Sequence, residues 1–155
     1  MEDKLKKISF KLINITTEQF AIIEEDLSEE NEVKINVALR FGANEEQKLI
    51  VVYTTFTFLS LQKPFIVIEA GCHFEIHDDA WEQMYDPQSK ALKVSRGLLS
   101  HLAMLTVGTT RGILYAKTEG TRFNKYIVPT INVLDLIKED TVFKFRPTEI
   151  TDPAS

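Results

Sequence analysis

Apolar residues recur along the first half of the chain with a period of two. Ile8, Phe10 and Leu12 alternate with polar neighbours, and the parity then switches to Ile13 and Ile15. A β-bulge near Leu12 accounts for such a switch, because one extra residue moves every following side chain to the other face. The apolar character continues over 20–26, and Glu24-Glu25-Asp26 and Ser28-Glu29-Glu30-Asn31 then read as a solvated loop. Val33, Ile35, Val37, Leu39 and Phe41 alternate with Lys34, Asn36, Ala38 and Arg40, the pattern of a half-buried strand. Residues 42–46 read as a hairpin loop. The run 49–59 is apolar on both parities at its start, which predicts a more central strand. After Pro64, one face carries Ile66, Ile68, Ala70, Cys72, Phe74 and Ile76, and the other Val67, Glu69, Gly71, His73, Glu75 and His77. Four antiparallel strands with one buried face follow.

The period then changes. Asp78 and Asp79 can cap a short helical turn over 80–84, which Asp86-Pro87 ends. Residues 90–118 read as one long helix, with Gly120 as its C-cap and Lys117 in its last turn. Leu98, Leu102 and Leu105 form one stripe, and Leu99, Ala103 and Val107 a second beside it. From Gly97 to Thr110 there is no Asp, Glu, Lys or Arg. A helix apolar around most of its circumference needs cover on more than one side. The sheet supplies one cover, and a second copy of the chain is the natural other. Leu98, His101, Leu102, Leu105, Gly108 and Gly112 are the expected interface. Asn132 caps a final short helix over 133–139. The fold class is therefore α+β: a four-stranded antiparallel sheet followed by one long and one short helix on one face. One domain spans 1–142 and a loose tail 143–155.

Composition narrows the function. The 155 residues are 44% hydrophobic with a formal net charge of −5. A chain of this size can bury its own core, and its charge argues against a nucleic-acid partner, which requires a concentrated basic surface. No apolar run reaches the roughly 20 residues of a membrane span. The opening Met1-Glu2-Asp3-Lys4 lacks the apolar run of a signal peptide, and Cys72 is the single cysteine. Both point to the cytoplasm.

Candidate chemistry is sparse. His73 and His77 share a strand face but stand roughly 13 Å apart, too far to share one zinc. Cys72 lies on the apolar face, where burial makes a thiol inert. No nucleophile elbow or phosphate loop is present, and Gly108-Thr109-Thr110-Arg111-Gly112 falls inside a helix, where small residues suit close packing. No catalytic residue, metal or cofactor is expected. Phe123, Tyr126 and Ile127 fall between two helices, where apolar side chains face either the sheet or a bound molecule.

The order of elements resembles the SecB-type export chaperones over about 8–137. Gly71, Phe74 and Ile76 match that family's Gly–x–x–Phe–x–Ile fourth strand. Arg111 and Gly120 match an Arg about ten residues before a Gly. Phe123, Pro129, Ile131 and Asn132 match the following Phe, Pro and Ile/Val-Asn with one-residue shifts. Val107-Gly108-Thr109-Thr110 stands where typical members carry prolines and a Tyr. The resemblance implies a non-enzymatic chaperone for unfolded polypeptides, assembled as a dimer of dimers with long helices between sheets. It implies a client groove, assigned here to Phe41, Phe123, Tyr126, Ile127 and Leu134. It also implies docking to the SecA translocation motor through acids, for which Glu18, Glu69 and Glu75 are the candidates. A small-ligand domain with a closed pocket, and a chaperone dedicated to an antitoxin, stand as alternatives.

Overall fold

The computed structural model describes residues 8–28 and 30–146. Strands β1 (Phe10–Ile22), β2 (Val33–Asn44), β3 (Leu49–Ser60) and β4 (Lys63–Ile76) form one antiparallel sheet in the order β1-β4-β3-β2. The central place of β3 explains its apolar start on both parities. The parity switch in β1 coincides with a register shift between Leu12 and Asn14, and a second shift lies between Thr17 and Gln19. Leu61 and Gln62 take positive φ in the tight turn joining β3 to β4, the left-handed pair that suits a two-residue hairpin loop.

One sheet face is dry. Ile50, Val52, Phe56, Phe58, Ile66, Ile68, Cys72, Phe74 and Ile76 are buried there against Leu99, Leu102, Ala103, Val107 and Leu114 of the long helix. Each Val, Leu, Ile or Phe side chain among them contributes roughly 1.5–3 kcal/mol of burial. Thr54 and Thr110 carry the polar link across this layer, their hydroxyls 2.5 Å apart, and Thr110 also donates to the Thr106 carbonyl. The opposite face is half wet, and at Gly71 the ring of Tyr53 lies flat across the strand. A Cβ built there would sit 2.7 Å from a Tyr53 ring carbon, which gives the glycine a packing reason.

The second half departs from the sequence reading in three places. The long helix, α2, spans Arg96–Thr118 rather than 90–118, and the short helix α1 (Asp78–Met84) precedes it. Ala91–Val94 is a strand, β6, between β5 (Tyr85–Asp86) and β7 (Thr141–Lys144). Leu92 and Val94 are buried while Lys93 is exposed, a period of two too short to stand out beside a helix. Ser95 then stops the strand and caps α2, its hydroxyl accepting from the Leu98 amide at 3.2 Å. The expected final helix over 133–139 is a single 3-10 turn, Val133–Asp135, which Asn132 caps as anticipated. The boundary between domain and tail also moves. Phe143 pairs with Leu92, and Phe145 packs on Trp81 and Tyr85. The rest of the anticipated tail, 147–155, lies outside the described residues.

Candidate functional site

Between Tyr126 and Thr141 the chain meets the main sheet at two places. Tyr126 meets Phe65 edge-on at 5.0 Å and Phe58 at 6.2 Å, and Phe58 is the register partner of Ile35 near the start of β2. Further along, residues 136–141 face Val37, Leu39 and Phe41 across an open cleft of about 530 Å³. Strict alternation along β2 places these three side chains on one face. β2 is an edge strand, paired with β3 alone among the described residues.

Two arginines of α2 hold the crossing segment. Arg111 donates to the carbonyls of Val128 and Pro129 at 2.7 and 2.8 Å. Arg96 donates to Ile137 at 2.5 Å and Leu134 at 2.7 Å. The Leu134 and Ile137 carbonyls receive guanidinium donors in place of the helical partners that the sequence reading expected. Val128, Val133 and Ile137 are buried beneath the segment, whereas Ile127 is 52% and Leu136 48% exposed. Leu134 and Val142 are exposed as well.

The expected client residues are thus divided. Phe41 lines the cleft, Leu134 and Ile127 are exposed on the crossing segment, and Tyr126 is half-buried against Phe58 and Phe65. Phe123 does not belong with them: at 2% exposure it is a core side chain, because the short turn at Arg122–Lys125 folds it back under α2. Leu136, missed from sequence, followed from reading 133–139 as a helix.

The expected interface on α2 divides in the same way. Leu98 and Leu102 are buried within the chain and are unavailable to another copy. His101, Leu105, Gly108 and Gly112 face outward, with Met104 and Tyr115 beside them. A Cβ at Gly108 or Gly112 would meet no atom of this chain within 4 Å. Leu12 and Ile15 of β1 are exposed on the helix-bearing side of the sheet. Phe10, on the same strand, stands 5.6 Å from the His101 ring.

The three acids do not form one patch. Glu69 is engaged by Thr55 through a short hydrogen bond and by Arg40 at 3.6 Å, and its side chain is only 19% exposed. Arg40 itself stacks 4.0 Å from the Tyr53 ring centre. Glu18 lies near Glu69 in the second register shift of β1, accepting from Thr16 at 2.7 Å. Glu75 is exposed six residues along β4, roughly 20 Å away.

The tip of the β2–β3 hairpin is tied to the second sheet and to α1. Tyr85 donates to Glu45 at 2.7 Å, and this bond to a carboxylate, with some burial, holds the phenol pKa above its usual value. Lys90 lies 3.6 Å from the same carboxylate. Lys48 donates to Asp78 at 2.8 Å, which raises the lysine pKa and lowers that of the aspartate. His77 leaves the strand and caps α1, its Nδ1 accepting from the Asp79 amide at 3.3 Å. Cys72 is buried in the core. Among the described residues no three His, Cys, Asp or Glu side chains gather to hold a metal ion, and no helix is long and apolar enough to cross a membrane. Compared with known proteins, the chain matches no family model and no curated sequence.

Proposed function

We propose that this chain holds non-native polypeptides, as the SecB-type resemblance implies, with the cleft between β2 and 136–141 as the grip. The observation that carries this reading is an open cleft whose β2 wall is apolar, at Val37, Leu39 and Phe41 of an edge strand, with Ile127, Leu134 and Leu136 exposed on the segment that supplies its other wall. An unfolded segment offers both things such a site takes up, apolar side chains and extended backbone, and several weak contacts sum by avidity. No chemical step is required, and the reading includes no metal or cofactor.

The competing reading is a closed small-ligand pocket between sheet and helix. Large buried side chains, among them Phe56, Phe74, Leu99 and Leu102, fill that space, which favours the open groove. A homotetramer, arranged as a dimer of dimers in the cytoplasm, belongs to the same proposal. Its support is the uncharged outward face of α2 at His101, Leu105, Gly108 and Gly112. Docking to the SecA motor has thinner support, since Glu69 is already engaged by Arg40, and a dedicated client such as an antitoxin is equally compatible with the cleft. Suppression of aggregation of a chemically unfolded protein tests the central claim. Stoichiometric protection supports it. A single saturating small ligand, with no competition from unfolded protein, favours the pocket.

A further inference from the structure

The two walls of the cleft are built differently. The β2 wall is continuous with β3 from Val33↔Ser60 to Asn44↔Leu49. Beyond its end, Glu45 and Lys48 anchor the hairpin to Tyr85, Lys90 and Asp78. The opposite wall, 134–140, belongs to no strand or helix after its single 3-10 turn. Its internal backbone bonds are those of the Asp135, Leu136 and Ile137 amides to Asn132 and Val133. Besides the buried side chains of Val133 and Ile137 and an ion pair of Asp140 with Lys93 at 4.0 Å, its ties to the body converge on one residue. The Arg96 guanidinium reaches the carbonyls of Ile137 and Leu134, and the Arg96 amide donates to Asp140 Oδ1 at 2.7 Å.

A cation in the first turn of a helix opposes the helix dipole, and α2 has no acid of its own there. Arg96 is thus a poor choice for the helix and a good one for the wall. The planar fork of a guanidinium fits two carbonyls at once, where lysine presents a single charge. Asp140 supplies the missing acid at the helix N-terminus from the wall itself.

We propose that Arg96 is a positioning residue that sets the width of the cleft, and that its release lets 134–140 swing away from β2. This rests on the reading of the cleft as a polypeptide grip. A bound segment then leaves sideways, through the moving wall, rather than by threading out along the strand. The Arg111 bonds at Val128 and Pro129 mark one end of the moving stretch, and the pairing of Thr141 with Val94 marks the other.

Hydrogen–deuterium exchange on the full chain tests the position, and stopped-flow release of fluorescein-labelled, reduced and carboxymethylated lysozyme tests the gating. In Arg96→Met the amides of Leu136 and Ile137 are expected to exchange about tenfold faster, as loss of charge-assisted bonds warrants, while β2 and β3 are unchanged. Release of the probe quickens about three- to tenfold with association altered less than about twofold, and Arg96→Lys recovers part of both effects. Unchanged exchange at 136 and 137, or an equal rise throughout β3, overturns the positioning role. Local exchange that rises without faster release overturns the gating. A wild-type chain that does not bind the probe overturns the grip reading and the gating with it, while the exchange result still decides what Arg96 holds.

Discussion

Replacing Phe123 with alanine removes a ring that is 2% exposed and belongs to the main core. Deleting a buried aromatic costs about 3–5 kcal/mol, the lost transfer energy plus the cavity left behind. For a chain of this size each kcal/mol shifts the melting temperature by about 2–4 °C, so a fall of about 6–20 °C is expected. Leu136→Ser provides the contrast. With 48% of its surface already in water, its truncation forfeits about 1 kcal/mol and shifts melting by a few degrees. Trp81, the single tryptophan, is 3% exposed and reports unfolding through its fluorescence. Aggregation suppression measured on the same samples, per folded molecule, should be unchanged in Phe123→Ala and weakened in Leu136→Ser. A near-native melting temperature for Phe123→Ala would refute its place in the core. Early melting of Leu136→Ser, or full holding by it, would refute its place on the cleft.

Gly71→Ala is expected to cost about 1–3 kcal/mol, because its Cβ meets the Tyr53 ring at 2.7 Å; Tyr53→Ala in the same chain should relieve part of that loss in a double-mutant cycle of thermal melts. Gly108→Leu projects a side chain from the exposed face of α2, where no atom of this chain opposes it; sedimentation should show a wild-type oligomer and a folded, dissociated variant, and a monomeric wild type at micromolar concentration removes that face from the interface. The bond between Lys48 and Asp78 gives a pH dependence of known sign. The aspartate pKa is lowered, so its contribution is complete above the ordinary carboxylate value and is lost as pH falls through the depressed one. The lysine pKa is raised, so its contribution is complete below the ordinary lysine value and is lost as pH rises through the elevated one. Asp78→Asn should therefore melt slightly below wild type over roughly pH 5–9, with the difference vanishing in strong acid; a difference that persists there contradicts the linkage.

The main sheet was legible because its cause is local: side chains alternate, and β3 advertises its central position by starting apolar on both parities. The bulge in β1 was legible for the same reason. Ala91–Val94 was not, since two buried residues in four cannot be told from the start of a helix without knowing that Thr141–Lys144 lies alongside. The stretch after Asn132 failed differently. Its cap is visible, but the donors from Arg96 that replace helical bonds come from 38 and 41 residues away in sequence. The candidate site inherits both outcomes. Phe41 and the outward residues of α2 could be named from periodicity. Phe123 was misplaced because a loop position says nothing about which way a short turn folds, and Met104 and Tyr115 needed the helix orientation to be seen. Glu69 needed its cross-strand neighbours, Arg40 and Thr55, which only the strand order brings together.

The central claim is that unfolded polypeptide lies in the cleft between β2 and 136–141. A photo-crosslinking amino acid placed at position 136, and separately at position 75 on the far face of the sheet, tests this with a chemically unfolded protein as the partner. Strong adducts from position 136, lost in excess unlabelled client, together with none from position 75, are the predicted result. Equal labelling from both positions, or labelling from position 75 alone, would contradict the account.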